Sequence, residues 1–356
     1  MRWRRLLRRL SLWAVGAVGA SVVGALFLRW ALQKIDLAAV NHAIASASIP
    51  HLLAALGLMV AAFLFRGLRW RLLFRGTRVS TWRLIAVENT AVGVNSIAPL
   101  PLLDEPTRVG LLTLVGIPPG TVLATMATMR TFELAAQALI GALGLKFLPP
   151  LRPLAPYFVA AATVAALGLA ALFIGGPLIK RIPVLGRLAL ARDFSAGVQW
   201  MLRAPLTTLL SFASTVGYAL VIGLSGWMLG VSLDLQVGLW GLVVLSLAVI
   251  FFTDWLPGLP GAIGTFEFVA LYLLGLWQVE ASTAFGFAIL LHALFFLPPL
   301  IVAVCYLPYA GFRSVEAVWR LVQQPWPRAG LASVEPEPGG PEQASPAAPG
   351  KGAECP

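Results

Sequence analysis

The sequence predicts an all-α polytopic membrane protein: about six spanning helices and two opposed re-entrant helical hairpins, arranged as an inverted repeat. Three observations lead there. Of 356 residues, 59% are hydrophobic and only 12% charged, with a mean hydropathy of +0.85. A soluble domain carries about a quarter charged residues. The apolar residues gather into runs near the ~20 residues that a bilayer core requires. Two stretches at membrane depth, 95–108 and 254–267, are interrupted in the same way by prolines and acids, the second also by glycines.

Spanning helices are expected at about 10–32, 50–66, 120–146, 154–177, 206–230 and 281–310. The first follows Arg2, Arg4, Arg5, Arg8 and Arg9, and it is too long for a cleaved signal peptide. The second is short before its arginines begin and is expected to extend outward on snorkelling side chains. Basic residues fall on one side. Besides the N-terminal five, Arg66, Arg69, Arg71, Arg75, Arg78 and Arg83 follow the second span. Lys180, Arg181, Arg187, Arg192 and Arg203 follow the fourth, and Arg313, Arg320, Arg328 and Lys351 follow the sixth. The opposite loops hold Lys34, Lys146 and Arg152. This bias places both termini in the cytoplasm.

The topology closes when residues 84–116 enter from the cytoplasmic side and return, and residues 237–278 do so from the outer side. The rival is a full crossing by 237–256, which is long enough but needs a further crossing elsewhere. Residues 1–9 then form a basic cytoplasmic N-terminus and 10–312 the transmembrane domain. Residues 313–356 are expected to form a largely disordered cytoplasmic tail rich in Pro, Ala, Gly and Glu. Residues 178–205 read as an amphipathic segment on anionic lipid.

Composition also excludes classes. The net charge of +11 is spread between apolar runs, without the basic stripe and interleaved aromatics of a nucleic-acid binder. Two cysteines, Cys305 and Cys355, make no disulfide framework, and no CxxC or His/Cys cluster implies a metal. No cofactor is implied, and no nucleotide-binding motif is present.

Lipid cannot hydrogen-bond a broken backbone, so broken helices at membrane depth survive only beside protein or a watery cavity. Ionisable groups there mark substrate paths, and paired interruptions in the two halves point to a binding site. In the first, Pro99, Pro101 and Pro106 stop continuous helix. Asp104, Glu105 and Arg108 stand three or four apart, close enough to pair on one helical face. They read either as a polar site for a headgroup or as an internal salt bridge. Arg108 suits phosphate, since its planar fork matches two oxygens. In the second, Gly258, Gly261 and Gly264 allow close backbone approach and Pro257 and Pro260 fix the turn. Thr265 is a candidate cap for the helix that carries Glu267, whose N-terminus would face an anion. Tight glycine packing is the alternative.

Arg130 and Glu133 are expected to pair with each other or to face the first hairpin's acids. Glu88 and Asn95 share one face of the helix leading into that hairpin; Asn95 is a site residue or a polar packing residue. Asp254 belongs to the interface or to the site. His292 reads as hydrogen-bonded packing before it reads as a proton relay.

Several of these residues resemble the flippase-like transmembrane region of lysylphosphatidylglycerol synthases and their stand-alone bacterial and archaeal relatives. The likeness, over about 10–310, rests on Arg69-Trp70-Arg71-Leu72-Leu73 and on Asn95 followed by Pro99, Glu105 and Arg108. It rests further on Arg130-Thr131-Phe132-Glu133 and, most specifically, on Leu259-Pro260-Gly261-Ala262-Ile263-Gly264-Thr265-Phe266-Glu267, close to a Pro-Gly-Gly-x-Gly-x-x-Glu signature. The resemblance implies a multi-pass protein that moves a lipid between leaflets. Family substrates include aminoacylated phosphatidylglycerol, and polyprenyl- or dolichyl-linked sugars have been proposed. Pro101-Leu102-Leu103-Asp104-Glu105 departs from the family's Pro-Gly-x-x-Gly-Glu, which leaves the first hairpin's geometry open. Without a large soluble C-terminal domain, the chain is not expected to make the lipid or to be an enzyme. A separately encoded lipid-synthesising enzyme becomes the expected partner.

The leading expectation is a flippase or scramblase for a phospholipid or polyprenyl-linked lipid, binding through Asn95, Asp104, Glu105, Arg108, Arg130, Glu133, Gly261, Gly264 and Glu267. Arg108 and Arg130 would hold a phosphate, while Glu105, Glu133 and Glu267 balance charge. The alternatives are an intramembrane lipid-modifying enzyme, or a non-transporting membrane partner of a glycosyltransferase or synthase.

Overall fold

The computed structural model describes residues 2–74, 79–97, 103–182, 184, 186 and 188–312. Pro99, Pro101 and the 313–356 tail lie outside the described residues. Among those described, the chain is helical and contains no strand. Helix α1 (Arg2–Leu32) turns into α2 (Leu37–Ala45), and α3 (Ile49–Leu73) follows. Next come α4 (Thr81–Ile97), α5 (Asp104–Thr113) and α6 (Pro119–Phe147). Helix α7 (Ala155–Ala170) continues through a π turn at Ala171–Gly175 into α8 (Gly176–Leu178). Then come α9 (Ala189–Arg203), α10 (Pro205–Ser232), α11 (Leu239–Trp255), α12 (Thr265–Gly275) and α13 (Ala281–Tyr309). Proline opens the first turn of α3, α6, α7 and α10, where its missing N–H costs no helical bond.

A repeat runs through these lengths. Helices α3 to α6 have 25, 17, 10 and 29 residues. Helices α10 to α13 have 28, 17, 11 and 29. The packing obeys the same exchange. Helix α3 lies against α4 as α10 lies against α11, and α5 against α6 as α12 against α13. Helix α4 packs on α13 as α11 packs on α6, while α3 and α10 pack on each other. At 1.5 Å per residue, α5 and α12 are about 15 Å long, half the hydrocarbon thickness. Each therefore turns back beside its 17-residue partner, with which it packs. The two four-helix units thus share one pattern of lengths and contacts.

Among the described residues, four helices have both the length and the apolarity to cross: α3, the Pro149–Leu178 segment containing α7, α10 and α13. Val18–Leu32 of α1 and the whole of α2, bent by 84°, add a fifth if the pair is one span. The third expected span, 120–146, is α6. Its 29 residues are long enough, but Arg130, Glu133 and Lys146 keep it from being apolar throughout. The expected amphipathic segment is partly realised in α9, whose buried Gly197 and Met201 pack on α6 and whose buried Ser195 and Val198 pack on α8. Protein, rather than lipid, therefore covers that face.

The two breaks lie together. The turn at Pro260–Ala262 packs against α4. Helix α1 crosses the second break at glycines: a Cβ on Gly264 would strike the carbonyl of Gly24, and one on Gly24 would strike the backbone of Gly258 and Leu259.

Candidate functional site

Acids and bases alternate along one path at the first break. Helix α5 opens on Asp104 and Glu105, which the positive end of its dipole favours. One turn on, Arg108 Nη1 reaches Asp104 Oδ2 at 2.8 Å, and its Nε donates to Glu88 Oε2 on α4 at 2.7 Å. From α6, Arg130 Nη2 meets the same Asp104 oxygen at 3.1 Å, and Arg130 Nη1 meets Glu133 Oε2 at 3.3 Å. Glu133 is shared in turn with Arg69 of α3. The order is Glu88, Arg108, Asp104, Arg130, Glu133, Arg69, in which every inner member has two partners of opposite sign. Such pairing is what lets charges persist at membrane depth.

The expected face of Asp104, Glu105 and Arg108 is therefore half right. Asp104 pairs with Arg108, but Glu105 sits on the open side, 3.7 Å from Arg130. Adjacent helical residues point about 100° apart, so Arg108, on the face of Asp104, does not also pair with Glu105. Arg130 and Glu133 do both things expected of them, pairing together while Arg130 also meets the hairpin's acids. Asn95 Oδ1 accepts the Leu103 N–H at 3.2 Å and closes the hairpin across its break.

Along this path lies a narrow cleft lined by Trp70, Glu88, Arg108, Met126, Met129, Arg130 and Glu133, with room for about one water molecule. Arg108 and Glu88 form its buried floor, whereas the Arg130 and Glu105 side chains are 48% and 49% exposed. Asp254, at the end of α11, is exposed and lies within electrostatic reach of Arg130, Glu133 and Asp104. It belongs with this cluster rather than with the membrane interface.

One turn before Arg69, Arg66 is also buried. Its Nε and Nη2 donate to the Tyr218 hydroxyl of α10 at 3.0 and 2.5 Å, while its plane faces the rings of Phe63, Tyr218 and Phe295. Arg66 Nη1, Arg69 Nε and Nη1, and Asp104 Oδ1 are buried without a hydrogen-bond partner.

The second break is built differently. Gly261, Ala262 and Gly264 have φ of 70°, 62° and 86°, in the left-handed region that glycine tolerates and alanine resists. Glu267 Oε2 accepts the Gly264 N–H at 2.6 Å. The residue that caps α12 is thus Gly264, not the expected Thr265, and the shift by one restores the usual spacing from cap to acid. Thr265 instead donates its hydroxyl to the Pro257 carbonyl at 2.6 Å. The other carboxylate oxygen, Oε1, lies 2.6 Å from His292 Nδ1, and His292 Nε2 lies 2.8 Å from the Gly261 carbonyl.

Of the nine expected residues, Asp104, Glu105, Arg108, Arg130 and Glu133 converge at the first break, with Asn95 bracing it. Gly261, Gly264 and Glu267 converge at the second. Reading the sequence missed the partnership of His292 with Glu267, as well as the parts played by Arg66, Arg69 and Tyr218. The available signal was a histidine inside an apolar helix and arginines spaced by three at the end of a span. Among the described residues, no three His, Cys, Asp or Glu side chains are placed to share a metal ion.

Two broken helical hairpins packed among helices long and apolar enough to cross a membrane fit an all-α polytopic membrane protein. The chain matches the lysylphosphatidylglycerol synthase TM region over residues 14–303 and belongs to that family. The family ties it to lipid metabolism or transport. No curated protein matches it significantly.

Proposed function

We propose that the protein is a flippase or scramblase, moving a phospholipid or polyprenyl-linked lipid between leaflets of a bacterial or archaeal plasma membrane. It would sit with both termini in the cytoplasm and would not be an enzyme. The observation that carries this reading is the chain of paired charges from Glu88 to Arg69 beside a half-open cleft. A purely structural network would close on itself. This one keeps Arg130 and Glu105 half-exposed and leaves buried guanidinium N–H groups of Arg66 and Arg69 without protein acceptors. Phosphate oxygens are natural acceptors for both.

Arg130, not Arg108, is the first contact for the headgroup, because its side chain is half-exposed whereas that of Arg108 is buried. Glu105, beside Arg130, offsets arginine charge or meets a cationic headgroup, while acyl chains stay in the bilayer. A separately encoded lipid-synthesising enzyme would supply the substrate. Reconstitution into vesicles with tail-labelled lipid and an outer-leaflet quencher tests this. Wild type should move the label faster than empty vesicles, and Arg130→Gln should slow it about tenfold. Equal rates in all three overturn the reading.

A further inference from the structure

We propose that Glu267 and His292 form a proton-binding site, and that the bound proton decides whether the second break stays tied to α13. The argument starts from donors and acceptors. His292 Nε2 faces a backbone carbonyl, which only accepts, so Nε2 carries a hydrogen. His292 Nδ1 faces Glu267 Oε1 at 2.6 Å, a separation that two bare lone pairs do not hold. One further proton therefore lies between them. It makes either an imidazolium against a carboxylate or a neutral imidazole against a carboxylic acid. Both forms are neutral as a pair, which suits side chains that are only 14% and 7% exposed.

Removing that proton leaves one buried negative charge and one hydrogen for two acceptor-facing nitrogens. The imidazole then loses either Glu267 or the Gly261 carbonyl. Either loss frees a turn with unfavourable backbone: Ala262 holds φ of 62° between Gly261 and Gly264. The released turn is the one that packs against the end of α4, one residue beyond Asn95. A proton at the second break is thus mechanically connected to the hairpin bearing the charged cleft.

Few other charges face the pair. Arg66 of α3 lies over Phe295, one turn from His292, but is held by Tyr218 of α10. Glu88 of α4 is paired with Arg108. Arg29 of α1, His42 of α2 and Asp254 of α11 are exposed. Among the described residues, none of these forms an ion pair or hydrogen bond with Glu267 or His292. The rings of Phe266 and Phe296 flank the imidazole, each with its centroid 4.6 Å away.

Insofar as the proton drives lipid movement, the inference rests on the transport reading; the proton site itself does not. The sequence has three histidines, His42, His51 and His292. The full-length chain with His42→Gln and His51→Gln therefore reports His292 alone by nitrogen-15 magnetic resonance in lipid nanodiscs. From about pH 5 to about pH 9, a strongly hydrogen-bonded proton on Nδ1 is expected at the acid end. It should vanish on raising pH, together with a shift of carbon-13-labelled Gly261. In Glu267→Gln the bonded signal should be missing. Three results overturn the site: Nδ1 bare at every pH, the proton unmoved throughout, or the same signal in Glu267→Gln.

In reconstituted vesicles, a pH difference should change wild-type lipid movement about tenfold, and His292→Gln should abolish that dependence. Lipid movement indifferent to the gradient overturns the coupling and leaves transport standing. A titrating proton without any lipid movement overturns the transport reading and leaves the site standing.

Discussion

The carbonyl oxygen of Ser96, at the end of α4, lies 3.0 Å from where a side chain would begin on Gly261. The two breaks of the repeat thus meet at a point where only glycine has both the room and the backbone freedom. Gly261→Ala would add a methyl against that carbonyl and hold alanine at φ near 70°. A loss of about 2 kcal/mol is expected, read as a lower unfolding midpoint in detergent. Gly264→Ala should cost at least as much, because its Cβ would strike the Gly24 backbone. A wild-type midpoint in both variants would contradict this packing.

Arg108 and Arg130 should separate by phenotype. Arg108 is buried between Glu88 and Asp104, so Arg108→Ala leaves two buried carboxylates short of a partner and should cost about 3–5 kcal/mol. Arg130 is half-exposed, so solvent screens its pairs and Arg130→Gln should cost about 1 kcal/mol or less. Thermal unfolding of the two variants side by side checks the ranking, and equal losses would contradict it.

Tyr218→Phe removes the hydroxyl that accepts two hydrogen bonds from Arg66 and leaves that guanidinium buried without an acceptor. A loss of about 2–3 kcal/mol is expected. Arg66→Met in the same background should restore much of it, because the charge that needed the hydroxyl is gone. A double variant no more stable than Tyr218→Phe would disprove the account.

Glu280 gives a pH-dependent term outside the membrane. Partial desolvation raises its pKa, but hydrogen bonds from Ser282 and Thr283 at the start of α13 outweigh that and lower it from 4.5 to about 2. A lowered folded-state pKa means stability that is present above pH 4.5 and lost as pH falls toward about 2. As a helix cap it is worth about 1 kcal/mol. Glu280→Ala should therefore be less stable than wild type at neutral pH. The gap should narrow below about pH 4.5, as unfolding midpoints across pH would show. A gap that widens on acidification would refute the assignment.

The sequence by itself determined the class of protein, the places where helices break and the residue types at those breaks. These are one-dimensional properties. A bilayer demands runs of apolar residues, and prolines, glycines and acids within such a run are visible wherever they stand. The local pairing of Asp104 with Arg108 was legible for the same reason, since one helical turn joins them.

Tertiary structure alone decided which groups share protons and charge. Arg69 meets Glu133 across 64 positions and Glu267 meets His292 across 25. The repeat joining α3–α6 to α10–α13 lies in helix lengths and packing rather than in matching residues. In a medium that offers no water, every buried charge must find its partner in space, and spacing along the chain does not say which partner the packed helices bring near.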